Sequence, residues 1–180
     1  MTLKEKQIEK LRSLNCKDLA DKIQEIIDHI NEYQPKKLEF EDHNFQVNSD
    51  GWHKITVNGD AYLENETKDA WEFLEGEYSG EQLFTWDAAK RETEKAGKRM
   101  PTDEEFTELL QTKDDMPNVV YAGYRSTDGS FYNQGTNANL WSASESSATN
   151  GWNRTLSSGH ATVLRNGNAK ANGFSVRCFK

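Results

Sequence analysis

Apolar residues between positions 2 and 33 recur every three to five residues, with Lys, Glu and Asp between them, and this spacing predicts helix. Asn15 followed by Asp18 resembles a helix start, so the alternative is two helices joined near Cys16. Pro35 ends the helical segment. Its apolar stripe either packs on the following domain or joins copies of the chain in a homo-oligomer through residues 2–33. The stripe contains Ile8, Leu11, Leu14, Leu19, Ile23, Ile26, Ile27 and Ile30.

From Lys37 onward the apolar residues alternate with polar ones, which predicts strands. A turn at residues 48–51 and a second at Asn58-Gly59-Asp60 separate these strands and favour antiparallel pairing. The strands are placed around Leu38, Phe40, Phe45, Val47, Trp52, Ile55, Val57, Tyr62, Leu63, Trp71 and Phe73.

Two short helices follow, each with a clear start. Thr85 is positioned to cap a helix from Trp86 to Ala96 that Gly97 ends, and Thr102 with Glu105 forms the capping box of a helix over residues 103–110. After Pro117 no helical period remains, so residues 118–180 are predicted to be strands and ordered loops. The sequence therefore predicts the α+β class, with an N-terminal helical segment (1–36) and a second domain (37–180).

The residues from 140 to 180 differ from the rest of the chain. Large apolar residues are widely spaced there, and nearly all residues between them are small or polar, which is typical of a rigid frame that presents a polar surface. From Ser146 to Asn168 there is no Lys, Glu, Gln, Asp or Met. Before position 130, 17 basic and 29 acidic residues give a formal net charge of −12. After it, 5 basic residues and Glu145 give a formal net charge of +4.

Composition excludes several classes of function. The C-terminal segment is too weakly basic for a nucleic-acid binder. The charged N-terminus indicates no signal peptide, and no apolar run predicts membrane insertion, so the chain is expected to be made in the cytoplasm. No residue pattern demands a cofactor.

The acidic residues Glu64, Glu66, Asp69, Glu72, Glu75 and Glu77 match no cation-binding loop and indicate a solvated face. Cys16 and Cys178 form either two reduced thiols, the favoured interpretation, or a disulfide.

Three linked motifs carry a family resemblance: FTWDAAKRETEKAGKRMPTDEEF, AGYRSTDGSFYNQGTNANLWSASE and the closing GFSVRCFK. In this order, over about residues 80–180, they resemble the C-type-lectin-fold variable proteins of diversity-generating retroelements and the related Fibrobacter succinogenes major paralogous domains. Met100 stands where Leu is usual, an apolar exchange of similar volume. The resemblance implies a C-type lectin-like fold with two short helices and small antiparallel sheets.

The resemblance also implies a cause for the missing residue types. In such retroelements, template codons for Asn change at their first two bases and keep a final pyrimidine, and codons of that form never encode Lys, Gln, Glu, Met or Trp. Apart from Trp152, every residue from Ser146 to Asn168 is of a permitted type. The alternative cause is ordinary Ser, Asn and Gly loop chemistry, since Asp is permitted yet absent.

By this resemblance, residues 140–178 form a variable, ligand-binding region, and the chain recognises a protein or glycan on a target cell while displayed on a virion or cell surface. The fixed frame would contain Trp141, Ser142, Ser144, Glu145, Trp152, Leu156, Gly159, Val163, Val176, Arg177 and Cys178. One exposed face would contain Ser146, Ser147, Thr149, Asn150, Asn153, Thr155, Ser158, His160, Thr162, Leu164, Arg165, Asn166 and Asn168. Leu164, Arg165 and His160 are its candidate anchors.

Three other functions compete with this interpretation. A fixed lectin-like interaction module differs only in lacking hypervariation. An enzyme related to formylglycine-generating oxidases would need a reactive cysteine pair, whereas Cys178 is predicted to lie in the core. A calcium-dependent lectin would need oxygen ligands, but Arg154 follows Trp152-Asn153 where such a site has Asp. The sequence therefore favours a recognition protein with neither catalytic nor metal-binding residues.

Overall fold

A computed structural model describes residues 6, 9–10, 17–32 and 38–179. The chain divides into two compact units, residues 1–38 and 39–180. In the first unit, helix α1 spans Lys17–Glu32 and has Asp18 in its first turn. Leu19 and Ile26 on this helix are exposed. The other residues of the predicted helical segment, including Cys16, lie outside the described part of the chain.

The second unit begins with a four-stranded antiparallel sheet whose strands follow one another in chain order. The Asn58–Gly59 turn between the first two strands has positive φ at both residues, 53° and 98°, as a tight hairpin turn requires. The predicted turn and the strands around Ile55, Tyr62 and Trp71 are confirmed. The strands are β1 (His53–Val57), β2 (Asp60–Glu64), β3 (Ala70–Phe73) and β4 (Gln82–Phe84).

The strands predicted between Leu38 and Val47 do not form, apart from a single bridge between Phe40 and Phe179. The backbone of this segment bonds to the end of the chain instead: Glu41 N–H donates to the Cys178 carbonyl and Phe45 N–H to the Val176 carbonyl. The alternating pattern arises because Phe40 and Phe45 enter two clusters of the core.

Both predicted helices form. Helix α2 spans Trp86–Lys95, with the Thr85 side chain accepting a hydrogen bond from Ala88 N–H, and α3 spans Asp103–Leu109 with the predicted Thr102/Glu105 capping box. Each ends one residue before its predicted boundary. A short 3₁₀ turn, Lys113–Asp115, follows.

The C-terminal part of the unit contains strands and loops, and residues 118–179 contain no helix, as predicted. A two-stranded ribbon, β5 (Tyr124–Arg125) with β6 (Phe131–Tyr132), precedes a three-stranded antiparallel sheet. In that sheet β8 lies between β7 and β9. Its strands are β7 (Asn137–Glu145), β8 (Asn150–Ser157) and β9 (Val163–Ala169).

Trp141 on β7 lies at the centre of the core. Its ring stacks on Phe174 at 4.2 Å between centroids, and its indole N–H donates to the Phe84 carbonyl at 2.8 Å. Trp86 makes a similar bond to the Ser142 carbonyl. Met100 is buried in the same cluster, so an apolar side chain is retained there. The helices and antiparallel sheets confirm the predicted α+β class.

Arg177 joins the end of the chain to three other segments. It is almost completely buried, and its guanidinium donates to the Asn44 side chain and to the carbonyls of Glu41, Pro117 and Asn118. Burial lowers the pKa of this group, against the opposing influence of Glu81. Four oxygen acceptors therefore hold a buried cation that has no direct carboxylate partner among the described residues.

Candidate functional site

The three-stranded sheet places consecutive residues on opposite faces, as strands do. On one face, which we call the helix face, Arg154 and Leu156 of β8 point toward α3: Arg154 bonds to Asp103 and Leu156 packs with Phe106. The opposite face, which we call the cleft face, includes Asn153 and Thr155. In the register of the sheet, Asn166 lies beside Asn153 and Leu164 beside Thr155.

Five polar residues on the cleft face form a hydrogen-bonded set across all three strands, here called the amide network. Thr155 Oγ1 donates to Asn139 Oδ1 at 2.9 Å and accepts from the side-chain amides of Asn153 and Asn166. The amide of Asn168 donates to Asn153 Oδ1 at 2.8 Å. Asn139 also donates to the Gly123 carbonyl. Asn139 and Asn153 are buried, and because their amides find partners within the network, hydrogen bonding offsets the desolvation penalty of burying them.

A polar cleft of about 410 Å³ opens beside the amide network. Asn139 and Asn168 belong to both the network and the cleft. Tyr124 and Phe174 form an aromatic wall of the cleft, with their rings packed edge to face. Hydroxyl and amide groups supply the other polar contacts, and none of the described Asp, Glu, Lys or Arg residues lines the cleft. The lining residues are Tyr124, Ser126, Thr127, Asn139, Asn168, Ala169, Asn172 and Phe174. Such a cleft suits a neutral, hydrogen-bonding group better than an ion.

On the helix face, one carboxylate binds two guanidinium groups. Asp103, at the start of α3, accepts from Arg154 at 2.7 Å and from Arg165 at 2.7 Å. Arg154 is buried and also donates to Thr107 Oγ1. The Arg165 side chain is 47% exposed, and its guanidinium lies 3.4 Å from the centroid of the Trp152 ring. The cluster therefore carries one net positive charge, whose exposed part is Arg165.

The pKa of Asp103 reflects this arrangement. Burial alone would raise it, but hydrogen bonds from Arg165 and Arg154 outweigh the burial and hold the pKa below its ordinary value of 3.8. Asp103 is therefore ionised at neutral pH, and the same contact raises the pKa of Arg165. The cluster is a fixed ion pair with one exposed cation rather than a proton-transfer site.

The thirteen predicted face residues differ in exposure. Ser146, Asn150, Asn166 and Asn168 are half-buried. Asn153 and Thr155 are buried. The exposed members are Ser147, Thr149, Ser158, His160, Thr162, Leu164 and Arg165.

The expectation of one exposed face is wrong in three respects. Asn153 and Thr155 are enclosed in the amide network rather than exposed. Leu164 and Arg165 are neighbours on β9 and so point to opposite faces of the sheet. The two turns that hold most of the exposed residues, 146–150 and 158–162, lie at opposite ends of β8, about 23 Å apart at 3.3 Å per residue.

What connects these exposed residues is strand β9. This strand runs along the edge of the sheet from one turn to the other, with Leu164 on the cleft face and Arg165 on the helix face. We call β9 with its two flanking turns the recognition edge. It replaces the predicted single face.

The predicted frame is buried at most positions. Trp141, Ser142, Leu156, Val176, Arg177 and Cys178 are almost inaccessible to solvent. Trp152 and Val163 are only half-buried, and Glu145 and Gly159 are exposed. Ser144, also half-buried, has a defined contact, since its hydroxyl accepts a hydrogen bond from Asp103 N–H. Trp152 therefore belongs to the surface around Arg165 more than to the core.

Sequence reasoning misses Asp103, Arg154 and the residues that line the cleft ahead of β7. The local pattern marks Asp103 only as the first residue of a capped helix, and 51 positions separate it from Arg154. No local pattern joins the two. The run YRST at residues 124–127, a Tyr and an Arg followed by two hydroxyl residues, is the available signal for the cleft.

The chemistry of Cys178 bears on the enzyme alternative. It is a free cysteine in the core, and burial, assisted by Glu41, raises the pKa of its thiol to about 12. The reactive thiolate is therefore scarce at neutral pH. Cys16, the partner that a disulfide or a cysteine pair would need, lies outside the described residues.

No protein-family model, curated protein or solved structure matches the chain. Across the described ranges, no helix is long and apolar enough to cross a membrane. In the same part of the chain, no three or more His, Cys, Asp or Glu side chains are grouped so as to hold a metal ion. Functional inference therefore depends on the geometry of the C-terminal sheet.

Proposed function

We propose that this chain is a recognition protein of the C-type lectin-like fold whose C-terminal region is diversified by a retroelement, so that different copies bind different targets. Its partner is a protein or glycan on a target cell, which the chain binds while it is displayed on a virion or cell surface. The carrying observation is the separation of exposed from buried positions. Six predicted frame residues are buried, whereas seven predicted face residues are exposed on or beside strand β9.

Two further features support this function. The hydrophobic cluster that holds the sheet is built around Trp141, Phe84 and Phe174 and contains none of the seven exposed residues. Substitutions at those seven positions therefore leave the packing of this cluster intact. The recognition edge also combines an exposed Leu, a half-exposed Arg on a Trp ring and a hydroxyl-rich pair of turns. Arginine and Trp are common anchors of protein interfaces, and Ser and Thr supply adaptable hydrogen bonds.

One observation favours a second candidate, a lectin-like interaction module with fixed loops. Asn153 and Thr155 fall within the proposed variable set, yet both are buried and bonded to neighbouring strands. Substitution there breaks the amide network, so these two positions are poorly suited to variation. In such a module the polar cleft, rather than the recognition edge, is the binding site.

Randomising six exposed positions is expected to leave most clones folded, because surface substitutions usually change the free energy of unfolding by no more than about 0.5 kcal/mol. These positions are Ser147, Thr149, Ser158, His160, Thr162 and Leu164. The matched library randomises the six buried frame residues, where large-to-small changes cost about 2–5 kcal/mol each. Protease resistance of the full chain on the yeast surface measures the folded fraction.

Selection of the exposed-position library against one purified globular protein then tests recognition itself. Binders are expected, and reverting their selected residues one at a time is expected to abolish binding. Equal loss of folding in the two libraries would show that the exposed positions are structural. A folded library without binders would contradict recognition through these positions.

A further inference from the structure

The outer edge of strand β9 carries unpaired backbone groups. Lys170 N–H donates to the Thr149 carbonyl, and the antiparallel register continues from this pair. The residues of β9 that exchange hydrogen bonds with β8 are therefore Leu164, Asn166 and Asn168. The N–H and C=O groups of Arg165 and Gly167 point away from the sheet, and no hydrogen bond among the described residues of this unit uses them.

The edge also lacks the features by which proteins usually block strand pairing. Proline, lysine and bulges serve that purpose on natural edge strands. Strand β9 reads VLRNGNA, with no Pro and no Lys, and its pairing to β8 runs without a shift in register. Its single charge, Arg165, is turned onto the helix face by Asp103. Thr112 bridges Thr162 just before the strand, so the open part begins after that bridge.

The side chains beside the edge indicate what an added strand would carry. Residues of an added strand alternate between the two faces. On the helix face they would meet the exposed cation of the Asp103, Arg154 and Arg165 cluster, and on the cleft face they would meet exposed Leu164. Charge favours acidic residues on the first face, in a C-terminal segment that is net positive. Apolar residues suit the second.

We infer that strand β9 binds an extended segment of a partner protein by strand addition, with acidic residues of the partner facing Arg165 and apolar residues facing Leu164. The backbone groups of Arg165 and Gly167 hold the segment, and the variable side chains around them select its sequence. This inference rests on the proposed function, because it names how the recognition edge takes a protein target. A backbone template that stays constant while side chains vary suits a diversified receptor.

The probe is an eight-residue peptide of alternating Val and Glu, blocked at both ends, titrated into the isotope-labelled full chain and followed by amide NMR. The amides of Arg165 and Gly167 are expected to shift, and those of Asn166 and Asn168, which face β8, to shift less. A peptide of the same sequence with alternate amides N-methylated is expected to produce no such shifts, because it cannot complete the strand pairing.

Matched variants separate backbone pairing from side-chain contact. Gly167→Pro removes an N–H that points outward, so the edge strand can accept it, and it should weaken peptide binding by about ten-fold or more. Gly167→Ala keeps the N–H and adds a Cβ where proline also has one, 2.7 Å from the Ser146 hydroxyl oxygen, 3.2 Å from Ser146 Cβ and 3.6 Å from the Trp152 ring. Because the two variants share this crowding, which a shift of the Ser146 side chain relieves, Gly167→Ala should bind within about two-fold of the original chain. Urea unfolding of both variants checks that the sheet survives.

The outcomes distinguish strand addition from the broader function. Equal binding by the two Gly167 variants, or no shift at Arg165 and Gly167 at millimolar peptide, would overturn strand addition while leaving the randomised-library result intact. Self-association that Gly167→Pro abolishes and Gly167→Ala preserves would show that a second copy occupies the edge, which also overturns the inference. Loss of peptide binding in Gly167→Pro alone supports it.

Discussion

Replacing Asp103 with Asn is expected to lower the free energy of unfolding by about 3–5 kcal/mol, because it removes the charge that compensates a buried guanidinium. Arg154 is 3% exposed and keeps only neutral acceptors when the carboxylate is lost, namely the carbonyls of Asp103 and Asn153 and Thr107 Oγ1. Chemical denaturation in urea measures the change. A loss below about 1 kcal/mol would contradict the view that this ion pair fixes α3 to the sheet.

Two controls identify the cause of that loss. The double variant Asp103→Asn, Arg154→Met removes both buried charges and is expected to be more stable than Asp103→Asn alone. Arg165→Ala is expected to cost less than Asp103→Asn, because its side chain is about half exposed and Arg154 keeps its carboxylate. Equal losses in all three variants would assign the effect to packing instead of charge.

The Asp103 carboxylate also predicts a pH dependence. Because its pKa in the folded chain lies below the ordinary value of 3.8, its contribution to stability is complete above that value. The contribution is lost as the pH falls through the lowered pKa. The original chain should therefore lose stability below pH 3.8 more steeply than the Asp103→Asn variant.

Trp141→Ala is expected to destabilise the fold by about 3–5 kcal/mol, whereas Trp152→Ala should cost only about 1–2 kcal/mol, since half-buried side chains lose less on truncation. Trp141 is fully buried, stacks on Phe174 and donates its indole N–H to Phe84. Trp152 instead supports exposed Arg165. Thermal and urea unfolding of both variants measures the difference.

The same pair tests the division between frame and recognition edge. Trp152→Ala should leave the chain folded and weaken target binding, because Arg165 loses the ring on which it lies. Equal destabilisation by the two substitutions would place Trp152 in the frame, as the sequence alone suggests, and would remove it from the binding surface.

The sequence predicts features that depend on neighbouring residues. The Thr85 and Thr102 caps, the Asn58–Gly59 turn and the starts of α2 and α3 are all determined by residues within about four positions of one another. Local hydrogen bonding decides such features, so a local pattern is enough to find them. The segment from Leu38 to Val47 shows the limit, because its alternation reflects burial of Phe40 and Phe45, while its pairing stops at a single bridge between Phe40 and Phe179.

Features that depend on strand register could not be predicted. Whether Asn153 is buried or exposed depends on which face of β8 it occupies, and a shift of one residue exchanges the faces. The register between β7 and β8 changes at an irregularity between Trp141 and Glu145, which no sequence pattern reveals. The Asp103–Arg154 pair similarly joins a helix to a strand that lies far along the chain.

The most direct test of the diversified-recognition proposal is deep sequencing of the encoding DNA across a natural population, over residues 140–180 and several kilobases on each side. Diversified recognition predicts substitutions concentrated at the exposed positions of the recognition edge, at sites that match adenines in a nearby, near-identical template beside a reverse-transcriptase gene. A segment as uniform as residues 80–130, with no such template, would contradict hypervariation and leave a fixed interaction module.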